Sequence, residues 1–409
     1  MSTVLRVHAG RPSFGRMLLC LALGVAAGAP QSALANERDQ AKRIHDRIAG
    51  VPPDTTTLDL MEQDIVDGDP VAAAFRAIEH PDFYNVTLKN FAAPWTNREQ
   101  DVFVPFNDYA ATIIGMVRDD DDFRDILSAD VLYVGSGVPA YSTSNNAHYE
   151  ALEQQGVDLS TNLTRTTQSA LTGVPSAATA GVLTTRAASR AFFILGTNRA
   201  MFRFTMMNHL CNDMEQVIDT TRAPDRIRQD VSRSPGGDSR IFLNNCIGCH
   251  SGMDPMAQAF AYYDYVIDRD NDPTGENGQL VYNGPGAVDP VTGTRVVSKY
   301  FNNNTTFEYG YVTLDDEWDN YWRAGPNSLL GWDSSLPGSG AGAKSLGQEL
   351  AHSDAFAQCQ VEKVFRNVCL RAPADDVDRT EIQAIVSSFE SDGDLKQVFA
   401  RSAAYCRGD

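Results

Sequence analysis

Two thiols and an imidazole fall within five residues in the string "NNCIGCHSGMDP", at Cys246, Cys249 and His250. Cysteines three apart on a helical turn point to the same side, and the next residue stands close beside them. C-x-x-C-H is the attachment signature of c-type haem. Each thiol can form a thioether with one vinyl group, and the imidazole then presents itself to the iron as proximal ligand. Two rivals fit less well. A structural zinc site wants four ligands and usually a second C-x-x-C or H-x-H pair. A thioredoxin-type redox pair belongs on a βα turn and requires no trailing histidine. The motif therefore predicts one covalent haem c, anchored by Cys246 and Cys249 with His250 on the iron.

A mono-haem electron carrier usually places Met or His on the far side of the ring. Beyond His250 the remaining methionines are Met253 and Met256, and both stand within two turns of the proximal residue. The open candidates are Met206, Met207 and His209 in "FRFTMMNHLCNDME", and His352 in "GQELAHSDAFAQC". An iron with a free sixth position is the remaining alternative.

Such a haem is attached outside the cytoplasm, and the first 35 residues agree. Arg6, Arg11 and Arg16 precede "MLLCLALGVAAGA", and "ALA" at 33–35 offers a cleavage site. This is the layout of a secretory signal. Its apolar run of about 13 residues falls short of the ~20 a spanning helix needs. No later stretch reads as a membrane span. Removing three arginines and no acids takes the net charge from −19 to −22. A surface of that sign repels nucleic acid and anionic lipid and favours basic partners. The expected place is the periplasm or the extracellular space.

Cys20 leaves with the leader, so Cys211, Cys359, Cys369 and Cys406 remain beside the motif pair. In an oxidising compartment an even set reads as two disulfides, with three connectivities open.

The elements that must position the motif are mostly helical. "NERDQAKRIHDRIAG" ends on Gly50 ahead of Pro52 and Pro53, and "DTTTLDLMEQDIVDG" starts on Asp54 as cap, so residues 36–80 are expected to be helices. Residues 101–134 and 178–222 read as helical too, and Asp119 to Asp122 as a solvated acidic run. His148 reads as a surface residue of a Gly/Ser/Asn loop. After His250, Gly252 permits a turn, Asp254 can cap and Pro255 suits a first helical position, predicting a helix over 255–267. Phe260, Tyr263 and Ile267 would be its core face. "GQLVYNGPGAVDPVTGTRVVSKYF" and "YGYVTL" alternate like short strands. Asp268, Asp270 and Asp272 are spaced as in a calcium loop, but its sixth position holds Pro273 rather than glycine, so a solvated turn is the default. "LPGSGAGAKSLG" is a connector to helices over 346–370 and 378–402. The fold class expected is mainly α, with a multi-helix haem region and a small β/loop insertion. Its segments are a signal peptide (1–35), an N-terminal helical region (36–172), a haem-binding region (173–267), the insertion (268–345) and a C-terminal helical region (346–409).

The surroundings of the motif extend the reading. "AGVLTTRAASRAFFILGTNRAMFRFTMMNHLC", "DRIRQDV" and "CIGCHSGMDPMAQAFAYYD" resemble the haem-motif region of the planctomycete-type secreted cytochrome c-like proteins, with Asp264 matching an aspartate of that pattern. "LGQELAHSDAFAQCQVEKVFRNVCLRAP" is similar to that family's C-terminal helical piece, including a cysteine placed like Cys359. "HDRIAGVPPDTTTLDLM" and "PDFYNVTLKNFAAPWTNRE" resemble its N-terminal helices. The chain departs by being shorter than many members and by carrying the long 268–345 segment where the family has a compact hairpin. The resemblance implies haem, secretion and a helical architecture, and supplies no catalytic residues.

Three functions follow in order. The first is an electron-transfer cytochrome, meeting a redox partner protein or other copies of itself. The second is a structural subunit of a haem assembly. The third is a peroxidase- or oxygenase-type enzyme with an open iron, for which no distal histidine–arginine pair can be recognised.

Overall fold

The computed structural model describes residues 36–194, 196–301 and 305–408; the signal reading falls outside them. The N-terminal helices form as expected. Glu37–Ile48 starts on Asn36, Thr55–Val66 on Asp54 and Pro70–Ile78 on Asp69, each cap side chain accepting backbone N–H groups of the first turn. Ala41, Ile44 and Ile48 recur at helical spacing and are buried. The alanines of Pro70–Ile78 let it pack closely on the last helix, Leu395–Tyr405. Phe399 of that helix meets Phe83 and Phe91 edge-to-face, at centroid distances of 5.2 and 5.4 Å.

Asp108–Arg118 is central, with every residue from Asp108 to Val117 buried. Its start is set by Asn107, whose side chain accepts the Ala110 N–H. The helix expected over 101–134 is accordingly shorter: a 3-10 turn at Phe123–Leu127 and a strand at Leu132–Val134 follow it. The acidic run is engaged rather than merely solvated. The Tyr133 hydroxyl donates to Asp119 and Asp121, Arg165 pairs with Asp121, Lys396 with Asp120, and Arg124 with Asp122. His148 is likewise buried, its Nε2 accepting the Gly135 N–H and its Nδ1 2.6 Å from the Pro139 carbonyl.

Among the described residues the strands form three two-stranded antiparallel sheets: Leu132–Val134 with Thr164–Thr166, Tyr263–Val266 with Gln279–Tyr282, and Glu317–Asp319 with Ser339–Ala341. "YGYVTL" is not a strand; Tyr311 makes only an isolated bridge to Arg228. At the C-terminus two expected helices are four: Gly342–Ala351, Asp354–Cys369, Asp376–Asp392 and Leu395–Tyr405. Ser353 restarts the chain as a cap, and Gly393, at φ 67°, makes the left-handed turn that stops one helix before Asp394 caps the next.

The four segments from residue 36 onward share one core. Ala41, Tyr109, Phe202, Phe260, Trp318, Trp322, Phe356 and Phe399 belong to the same buried cluster. Among the described residues the cysteines outside the motif pair as Cys211–Cys359 and Cys369–Cys406. The first bridge ties the end of Arg199–His209 to Asp354–Cys369, and the second ties that helix to the last one. Among the described residues, no helix is long and apolar enough to cross a membrane.

Candidate functional site

The motif rides on a continuous helical stretch: Asp238 caps it, Ser239–Ile241 and a wide turn at Phe242–Cys246 lead in, and Ile247–Ala257 carries it on. The turn expected at Gly252 and the new helix at Pro255 are absent. Asp254 is not a cap; its carboxylate is taken up elsewhere. Pro255 forfeits only its own N–H bond and stays within the last turn. The helix ends early, because Tyr263–Val266 is drawn into a hairpin, yet Phe260 and Tyr263 are fully buried as core residues.

On this helix Gly248 and Gly252 are one turn apart, on the side away from Cys246, Cys249 and His250. A Cβ at Gly248 would collide with Ile218 and one at Gly252 with the indole of Trp322, which is fully buried. The two glycines thus seat the helix tightly from behind and leave its other face outward. That face has apolar company: Leu243, three residues before Cys246, is exposed.

Cys246 and Cys249 are unpaired and half-buried. Cys246 packs beside Ile227, Val231, Phe242 and Ile247. The Cys249 thiol donates to the Met214 carbonyl at 3.5 Å, and burial, with Cys246 nearby, pushes its pKa up. A thioredoxin-type cysteine needs the opposite shift.

The His250 side chain is 21% exposed, with Nδ1 3.1 Å from Oδ1 of Asp254, whose side chain is 0% exposed. Burial alone would raise the Asp254 pKa, but the Arg199 charge, with the His250 contact, outweighs it and holds the carboxyl far below the usual carboxylate range. Arg199 grips both oxygens, Nε to Oδ1 at 2.6 Å and Nη2 to Oδ2 at 2.9 Å. Its other edge grips Asp230 at 2.7 and 2.9 Å. The Arg228 N–H also donates to Asp254 Oδ2 at 3.3 Å. An ionised carboxylate can only accept, so Nδ1 of His250 donates to Asp254 Oδ1, and this contact leaves the other ring nitrogen, Nε2, uncommitted to Asp254.

Two unpaired, half-buried thiols and an imidazole within little more than one helical turn could hold a covalently tethered porphyrin. Helical spacing of four could have linked His250 to Asp254 in advance. Arg199 and Asp230 are distant in sequence and left no such signal.

Three of the far-side candidates, Met206, Met207 and His209, ride on Arg199–His209, the helix that packs against Ile247–Ala257. Met206 is fully buried in the core and Met207 packs against it. His209 is buried, its Nε2 2.7 Å from the Tyr109 hydroxyl and its ring stacked on Phe356. His352 caps Gly342–Ala351, with Nδ1 2.9 Å from the Gln348 carbonyl. Among the described residues, no hydrogen bond or ring contact ties any of the four to Cys246, Cys249 or His250. Asp268 and Asp272 accept backbone N–H groups of their own turns. Among the described residues no three His, Cys, Asp or Glu side chains converge on a common ion position.

Next to His209, the Lys363 ammonium donates to the Asn208 carbonyl and lies 3.9 Å from the Trp95 ring centroid. Burial pushes its pKa down to about 7, from 10.5. Between those two values the unfolded chain binds a proton that the folded chain has lost, so stability rises with pH. Urea unfolding at pH 7.5 and 10 should show that rise, and Lys363→Met should flatten it. Equal slopes in both proteins would contradict the assignment.

No protein family, curated protein or solved structure matches this chain.

Proposed function

We propose that this chain is a secreted or periplasmic mono-haem c-type cytochrome that carries electrons, alone or as one subunit of a larger haem assembly. The observation that carries the reading is one helix face, where two unpaired thiols stand beside an imidazole whose Nδ1 is already engaged. Pairing of the other four cysteines supports an oxidising compartment, where c-type attachment takes place. In this reading Cys246 and Cys249 tether the porphyrin and His250 Nε2 holds its iron. Once bound, the haem supplies a one-electron couple, and the protein holds it in place in a compartment from which a loose cofactor would escape. The exposed Leu243, one turn before Cys246, would offer apolar surface to a bound porphyrin. The acidic balance of the chain draws in a basic redox partner and speeds its encounter at low salt.

The test is a redox titration of the purified native protein, followed by reduced-minus-oxidised absorption spectra. Reversible one-electron cycling is the expected outcome. An iron that cannot be cycled, or that turns over peroxide rapidly instead, would move the assignment to the enzyme class.

A further inference from the structure

We infer that Asp254 is a positioning residue that sets the electron-donating strength of His250, and through it the potential of the centre, while Arg199 and Asp230 set how strongly Asp254 acts. This rests on the haem reading above. A ligand imidazole usually gives its second N–H to a backbone carbonyl, a carboxylate or water, and that partner fixes the ring's orientation and its basicity. Here the partner is a full negative charge, sealed from solvent, where neither water nor salt screens it. Such a charge draws the Nδ1 proton toward itself, enriches the ring and favours the oxidised iron.

What distinguishes this site is that the charge is itself graded. Oδ1 of Asp254 is shared between His250 Nδ1 and Arg199 Nε, and Oδ2 takes the other arm of Arg199. Arg199 in turn divides its two edges between Asp254 and Asp230. The groups therefore alternate: imidazole, carboxylate, guanidinium, carboxylate. Each weakens the pull of its neighbour on the one beyond. Removing them one at a time should move the potential in alternating directions. Simple loss of packing has no reason to alternate.

The experiment uses the full-length secreted protein and three variants, Asp254→Asn, Arg199→Gln and Asp230→Asn, each checked for haem by intact mass and Soret band before spectroelectrochemical titration. Asp254→Asn should raise the midpoint by at least the equivalent of a tenfold change in equilibrium, 59 mV for one electron. Arg199→Gln, which leaves Asp254 a stronger acceptor, should lower it. Asp230→Asn should raise it, by less than Asp254→Asn. Haem-loaded variants with unchanged midpoints, or Arg199→Gln moving the same way as Asp254→Asn, would overturn the inference and leave the haem reading standing. If Asp254→Asn does not accumulate, the opposed signs of the other two decide. Haem missing from the wild type would sink both.

Discussion

Cys246→Ser or Cys249→Ser should leave a secreted protein whose haem is held by one thioether, and the double variant should retain none after denaturation. Each thioether is a covalent bond, so the effect is one of presence rather than degree. His250→Ala should keep the tether and lose the proximal bond, giving a shifted Soret band on an attached porphyrin. The four variants separate the roles because the three side chains sit on one helix face without leaning on each other for folding. Cys246 packs in a small satellite cluster, Cys249 touches a loop carbonyl, and His250 is anchored from beneath by Asp254. Haem-stained denaturing gels and intact masses read the outcome. Full loading of the double variant would show that the thiols are not the anchors.

The second large effect belongs to the disulfides. Cys211–Cys359 closes a sequence separation of 148 residues and Cys369–Cys406 one of 37. On the chain-entropy account, the first constrains the unfolded chain by about 5 kcal/mol and the second by about 4 kcal/mol. Cys211→Ser/Cys359→Ser should therefore shift the urea midpoint more than Cys369→Ser/Cys406→Ser. The longer bridge also anchors the 210–217 segment, whose Met214 carbonyl receives the Cys249 thiol. Its loss should lower haem loading as well as stability. Equal midpoints for all three proteins would contradict this ordering.

The parts of the chain most legible in advance were those governed by local chemistry. C-x-x-C-H announces its own spacing, and Asp54 ahead of "TTTLDL" is a cap whose partners lie within its own turn. The evenness of the cysteine set pointed to two bridges, but their pairing depends on which helices meet, and that is a property of the core. Reading failed where a distant residue outbids a local rule. Asp254 beside Pro255 has the local form of a helix start, yet Arg199, folded in from another helix, claims its carboxylate and the helix runs on. His148 sits in a polar loop sequence but is buried by carbonyl and amide partners that the loop itself supplies. The central helix Asp108–Arg118 shows a further failure: Asn107 caps its start within its own turn, and that local signal does not enter a reading of 101–134 as one helical stretch. At the C-terminus, the breaks at Ser353 and Gly393 were written in ordinary cap and stop residues and were legible, though they were read through.

Met206, Met207, His209 and His352 illustrate a different limit. A methionine or histidine in a helix satisfies the chemistry of a ligand and the needs of a core equally well. His209, ringed by Trp95, Tyr109 and Phe356, serves the second of these in this structure. Ligand chemistry alone does not tell the two apart; only the neighbours do.

The central claim is a covalent porphyrin on one helix turn. The direct measurement is the intact mass of the native secreted wild-type protein, unfolded in acid, with its absorption recorded in the same run. The account predicts the mass of the leader-free polypeptide plus one haem, co-eluting with a Soret band. The bare polypeptide mass with no absorption in that region would contradict it.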